Sequence, residues 1–173
     1  MKTLTINVYE FSELDDKAKK RAIYDAQASF GFTFDGEYMA SIEKLVEHFD
    51  GKMSDWSIDW FNCSASYATF DMPEMTSKEI KSRLAMLGSY NKKTLCGNGE
   101  CKLTGYCGDE NAIDGFRKAF LGGENDLTKL MQAAFNTWLK AAQEDCAGQY
   151  SDEIFSENSD ANNYHYKQNG ELA

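Results

Sequence analysis

Ala68-Thr69-Phe70-Asp71-Met72-Pro73-Glu74-Met75-Thr76-Ser77-Lys78-Glu79-Ile80 changes its period half-way, and that change decides the fold class. Ala68, Phe70 and Met72 alternate with Thr69 and Asp71, the two-residue period of a strand with one buried face. Pro73 is the only proline in the chain and ends the strand, because it has no N–H to give to a ladder. Thr76-Ser77-Lys78-Glu79 then has the spacing of a capping box. Ile80, Leu84 and Leu87 follow at helical intervals, and Gly88 is placed to close the helix.

Upstream, Trp56, Ile58 and Trp60 alternate with Ser57 and Asp59, so strands near 55–61 and 66–72 are expected to pair through Asn62-Cys63-Ser64. Leu4, Ile6 and Val8 alternate in the same way and predict an N-terminal strand. Ser12 with Asp15 resembles a capping box, and Leu14, Ala18, Ala22 and Ala26 extend a helix from there to about Phe30. Tyr38, Ile42, Leu45, Val46 and Phe49 mark a second helix, which Gly51 is placed to end. Ala112, Ile113, Phe116, Ala119 and Phe120 give a short helix stopped by Gly122-Gly123. The longest apolar stripe, Leu127 to Ala142, predicts a helix from about Asn125 to Cys146. A short helix from Ser151 and a C-terminal hairpin, Tyr164-His165-Tyr166 with an Asn169-Gly170 turn, complete the chain. The expected architecture is α+β: a small, mostly antiparallel sheet packed by about five helices. It forms a single domain over 1–173 with a polar, acidic C-terminal segment, 148–173.

The apolar share of 42% and mixed-sign charge of 27% are those of a chain that folds. Thr3, Thr5 and Asn7 break up the apolar residues at the N-terminus, unlike the unbroken run of a signal peptide, and no stretch is apolar enough to span a bilayer. A cytoplasmic protein with no membrane association is expected. Five cysteines, at 63, 96, 101, 107 and 146, cannot all pair within one chain and read as reduced thiols. The formal charge of -10 opposes direct nucleic-acid binding, which depends on Lys and Arg to release counterions.

Cys96, Cys101 and Cys107 lie in a Gly-rich loop, and three soft ligands with Asp109 or Cys63 as a fourth would suit zinc. Their intervals of four and five residues do not repeat a ligand pair, so structural thiols and no metal are expected. His48 and His165 are the only histidines, and neither stands near a Ser or Cys in a nucleophile pattern. His48 reads as a surface or capping residue and His165 as a strand residue. Gly97-Asn98-Gly99 lacks the Gly-Lys-Ser/Thr that completes a phosphate loop, and Tyr164 and His165 break the acidic pattern of a calcium loop. No catalytic residue, metal or cofactor is predicted.

Charge is distributed more pointedly. From Glu124 onward nine acidic residues face three lysines. Glu144 and Asp145 are placed at the carbonyl end of the long helix, where negative charge is disfavoured. An acidic surface of this kind can occupy a basic groove on a partner and steer the encounter. The partner-binding residues it predicts are Glu144, Asp145, Asp152, Glu153, Glu157 and Asp160, with Tyr164 and Tyr166 as aromatic anchors. Phe32 and Phe34 are further anchor candidates.

Three segments carry a likeness: Val8-Tyr9-Glu10-Phe11-Ser12-Glu13-Leu14 with Ala18-Lys19 and Ala22; Cys101-Lys102-Leu103-Thr104-Gly105-Tyr106-Cys107 with Asp109-Glu110; and Asn163-Tyr164-His165-Tyr166 with Asn169-Gly170. In this order the chain resembles small accessory proteins encoded by phages and prophages. The resemblance transfers no catalytic residue. It implies a gene that counters host immunity, and hence a non-catalytic inhibitor of a host defence protein, first among them a CRISPR effector nuclease, whose guide and target lie in a basic cleft. Two alternatives stand beside it. One is a small phage enzyme, a nuclease or nucleotide hydrolase acting on a guide RNA or signal nucleotide through Asp109, Glu110 or His165. The other is a phage structural or assembly factor.

Overall fold

The computed structural model describes residues 7–61, 65–87 and 103–173. The chain forms two compact units, Met1–Thr33 with Asp145–Ala173, and Phe34–Glu144. Among the described residues there are six α-helices and a two-stranded antiparallel sheet, an α+β fold as the change of period at Pro73 implies.

In the second unit, α2 (Asp35–His48), the sheet β1 (Lys52–Ser57) and β2 (Tyr67–Asp71), α3 (Ser77–Met86) and α4 (Gly108–Leu121) are built with most of α5 (Leu127–Gln149). Met53 stands opposite Phe70 and Trp56 opposite Ala68, with an irregularity between Met53 and Asp55. β1 starts earlier than the alternation suggests and stops at Ser57. Asp59 leaves the ladder because its N–H donates to Ser66 Oγ (2.9 Å) and its carbonyl accepts from Gln143 Nε2 (2.9 Å). Trp60 turns inward instead and meets the edge of the Trp138 ring at 5.9 Å between centroids.

The core of this unit is aromatic. Trp138 is fully buried, and its indole N–H donates to the Tyr38 carbonyl at 2.8 Å, so the polar handle of the ring is satisfied. Phe49 stacks on Phe116 at 4.6 Å. Gly115 lets α4 lie close on α5, since a Cβ there would stand 2.7 Å from the Ala133 carbonyl oxygen.

Helix α3 starts as its sequence predicts, with Thr76 accepting from Glu79 N–H and Glu79 returning a bond to Thr76 N–H. Its predicted closure at Gly88 lies outside the described residues. Helix α2 ends differently from expectation. Asp50, at φ 55°, takes the left-handed position assigned to Gly51, and the N–H groups of Asp50 and Gly51 donate to Glu47 and Val46, a Schellman closure. An aspartate is tolerated there because its carboxylate pairs with Arg83, whose guanidinium also donates to the His48 carbonyl (2.7 Å). His48 in turn bonds the Arg83 carbonyl through Nε2 at 2.9 Å, so it joins α2 to α3.

The first unit holds a 3-10 turn, Phe11–Glu13, helix α1 (Asp16–Phe30), the last turn of α5, and α6 (Asp152–Ala161). The start predicted at Ser12 is corrected. Glu10 and Glu13 close the 3-10 turn between themselves, and Asp15 caps α1 by accepting from Ala18 N–H at 2.8 Å. Ala18, Ala22 and Ala26 form the buried stripe of α1. Leu4 and Ile6 of the predicted N-terminal strand lie outside the described residues; Tyr9 bridges Tyr166, and Tyr166 bridges Leu172 across the C-terminal turn.

Candidate functional site

Helix α6 is the element around which the first unit arranges its chemistry. Ser151 caps it by accepting from Ile154 N–H, and Asp152 and Glu153 in the first turn favour the positive end of the helix dipole. The helix has two unlike faces. Phe155 and Ser159 point inward, where Phe155 meets the edge of Phe11 at 4.9 Å and Ser159 Oγ shares a hydrogen bond with Tyr166 Oη at 2.8 Å. Glu153, Glu157 and Asp160, at i, i+4 and i+7, point outward and are exposed, with exposed Asp152 at the helix start.

No cation stands within 4.0 Å of Asp152, Glu153, Glu157 or Asp160 among the described residues, whereas Glu171 holds both Arg21 (2.5 Å) and Lys167 (3.1 Å). Those bonds, from Lys167 first and Arg21 second, hold the Glu171 carboxyl below the usual carboxylate range. Glu153 and Glu157 repel one another by a few tenths of a kcal/mol, and Glu157 and Asp160 sit toward the carbonyl end of α6, where the dipole opposes them.

Between α1, α6 and the C-terminal turn lies a cleft of about 420 Å³. Phe30, Tyr150, Phe155 and Tyr164 give it aromatic walls, Tyr166 its floor, and Asp25, Asn158 and Asn162 polar groups. Tyr150 donates its hydroxyl to the Gly31 carbonyl at 2.5 Å, and Gln149 Oε1 accepts from Thr33 N–H at 3.2 Å, which fixes the end of α1 against the start of α6. Burial pushes the hydroxyls of Tyr150 and Tyr166 above the ordinary tyrosine value.

Comparison with known proteins finds no matching family model, no matching curated protein and no matching solved structure. Function therefore has to be read from these two surfaces.

The predicted partner-binding residues divide. Asp152, Glu153, Glu157 and Asp160 come together on one helix, and Asp145 is exposed on α5 of the same unit. Glu144 is exposed but belongs to the second unit and pairs with Lys140 at 3.7 Å. Helix α5 runs on to Gln149, so Glu144 and Asp145 stand more than a turn before its carbonyl end, and the unfavourable placement expected of them does not arise. Tyr164 is half-buried in the cleft wall. Tyr166 is corrected from surface anchor to core residue: it is 3% exposed, because Tyr9 bridges it on one side, Leu172 on the other, and its ring packs on Phe11. Phe32 is likewise buried and Phe34 exposed.

Of the residues assigned to an alternative chemistry, Asp109 is fully buried. Its carboxylate accepts from Thr104 N–H, Thr104 Oγ1 and Gly105 N–H at 2.8–2.9 Å, which binds the turn ahead of α4. Both its oxygens are thus engaged, Oδ2 by the two backbone N–H groups and Oδ1 by the Thr104 hydroxyl. Glu110 is half-buried on α4 and His165 exposed beside Tyr164. Cys107 is exposed and Cys146 buried, while Cys63, Cys96 and Cys101 lie outside the described residues. No described helix is long and apolar enough to cross a membrane.

Sequence reading missed the cleft. Its walls come from 22–33 and 149–172, and no local spacing announces a cavity assembled across that separation.

Proposed function

We propose that this chain is a non-catalytic binding protein that sets the acidic outer face of α6 against a basic, nucleic-acid-binding surface of a partner protein. The observation that carries the reading is the row Asp152, Glu153, Glu157 and Asp160, exposed and unmatched by any cation among the described residues. Like charges held on one helix face repel, and a basic partner relieves that repulsion on docking while the field of the row accelerates the encounter. The segment from Asp145 to the end carries six acidic residues against Lys167 alone, so the charge excess continues along the sequence on both sides of α6.

The resemblance to phage accessory proteins makes a host defence protein the partner class to test first, with a CRISPR effector nuclease at its head, acting in the host cytoplasm. The binder competes with nucleic acid for a basic cleft and needs no cofactor to do so.

The test mixes purified effector nucleases with the chain and follows both association and target cleavage. The reading requires inhibition that is complete at a fixed molar ratio and that nucleic acid added first prevents. Inhibition by a small fraction of one equivalent, growing with time, would instead identify an enzyme. Failure to bind any basic nucleic-acid-binding protein at micromolar concentration would overturn the proposal.

A further inference from the structure

The cleft of the first unit is chemically biased toward one kind of ligand. Its volume of about 420 Å³ falls within the range of preformed binding sites. Neither Lys, Arg nor His lines it, and its one carboxylate is Asp25 at the mouth. A phosphate or carboxylate ligand would enter without a counter-charge and beside a negative group. The polar side chains on offer are mixed: Asp25 and the Asn162 oxygen accept, while Ser29, Thr33 and Tyr164 carry hydroxyls and Gln149 and Asn158 carry amides. Asn162 uses Nδ2 to donate to the Asn158 carbonyl at 2.7 Å, which leaves its side-chain oxygen free for another donor. Asp25 is only lightly engaged, with Arg21 Nε at 3.6 Å in an exposed i,i+4 pair of small energetic weight. Phe30, 63% exposed, and half-buried Tyr164 line the same cleft.

A planar cation with several donors suits the Asp25 carboxylate, the Asn162 oxygen and the aromatic lining together. The guanidinium is such a group: it carries five N–H donors in a fixed plane, stacks on aromatic faces, and gives up its hydration more readily than an ammonium. We propose that this cleft is a recognition pocket for an arginine side chain, which lies along the aromatic wall and donates to Asp25. The source of that arginine is the basic partner, so this step rests on the reading of the chain as a binder of basic proteins.

Glu153, Glu157 and Asp160 project from the side of α6 opposite to Phe155 and Asn162, so pocket and acidic row engage a partner from different sides of the helix. Their contributions are therefore separable by substitution.

The probe is a capped tripeptide, glycine-arginine-glycine, titrated into isotopically labelled protein and followed by amide chemical shifts. Its citrulline and lysine counterparts serve as controls. Saturable shifts at Asn158, Asn162 and Tyr164 are expected with the arginine peptide. Citrulline, equally planar but neutral, should bind at least about fivefold more weakly, and lysine about twofold to fivefold more weakly. Asp25→Asn, a change on an exposed helix face, should weaken the arginine peptide about tenfold without altering the spectrum of the free fold.

Equal binding of the citrulline and arginine peptides would overturn the proposal, as would no shift in the cleft at any peptide concentration. Shifts confined to Glu153, Glu157 and Asp160, unaffected by Asp25→Asn, would remove the pocket and leave the acidic row standing. Cleft shifts that persist in a chain whose acidic row can be neutralised without loss of partner binding would keep the pocket and remove the row.

Discussion

Gly170 closes the C-terminal turn at φ 85°, and its replacement by alanine is the sharpest test of how the first unit is held together. Left-handed backbone costs a residue with a Cβ about 1–2 kcal/mol. Space is the second cost. A Cβ on Gly170 would run into the Ala18 carbonyl oxygen and stand 2.9 Å from its carbonyl carbon and 3.1 Å from its Cα. These atoms belong to the backbone of α1, so no side chain can swing aside, and overpacking of this kind costs about 1–3 kcal/mol. The total is about 2–5 kcal/mol, which for a chain of this size lowers the melting temperature by about 5–15 °C. Gly105 is the control: it has the same φ of 85° but nothing within 4 Å of an added Cβ, so Gly105→Ala should cost only the backbone part. Thermal unfolding followed by circular dichroism measures both. The reasoning fails if Gly170→Ala melts within about 2 °C of the parent, or if the two substitutions cost the same.

Three further outcomes follow from the geometry. Asp109→Ala removes a fully buried carboxylate that accepts from Thr104 N–H and Gly105 N–H of an exposed turn and should cost about 1–3 kcal/mol, read from chemical denaturation. Thr76→Ala removes the α3 cap and should cost about 1 kcal/mol by the same assay, less than Asp109→Ala because the cap is exposed. Glu171, Glu79, Glu124 and Asp50 all have carboxyls held below the usual range, by Lys167, Thr76, the backbone N–H groups of Asp126 and Asn125, and Arg83 respectively. A lowered folded value means stability that is present above about pH 4 and lost as pH falls through the folded values; Glu171→Gln should flatten that acid limb, and an unchanged limb would remove Glu171 from the account.

How much the sequence discloses depends on how local the cause is. The start of α3 is legible because Thr76 and Glu79 satisfy one another within a single turn, and β2 is legible because Pro73 limits it. Helix α2 misleads because Asp50 takes the left-handed position with the help of Arg83, 33 residues away, a partner that no local pattern supplies. Helix α1 misleads for the opposite reason, since Glu10, Ser12, Glu13 and Asp15 offer competing caps within six residues and the two glutamates close the 3-10 turn first. The acidic row on α6 can be read from the spacing of Glu153, Glu157 and Asp160, whereas Tyr166 cannot be told from a surface aromatic until the turn at Gly170 folds it under Phe11.

The central claim is that the α6 row binds a basic surface. Its most direct measurement is the dissociation constant for a captured effector at low and physiological salt, for the parent and for a chain carrying Asp152→Asn, Glu153→Gln, Glu157→Gln and Asp160→Asn. These positions are exposed, so the fold should survive the change. The account predicts that the parent weakens steeply as salt rises, and that the neutralised chain binds at least about tenfold more weakly at low salt with a flatter salt dependence. Equal affinity and an equal salt slope for the two chains would contradict it.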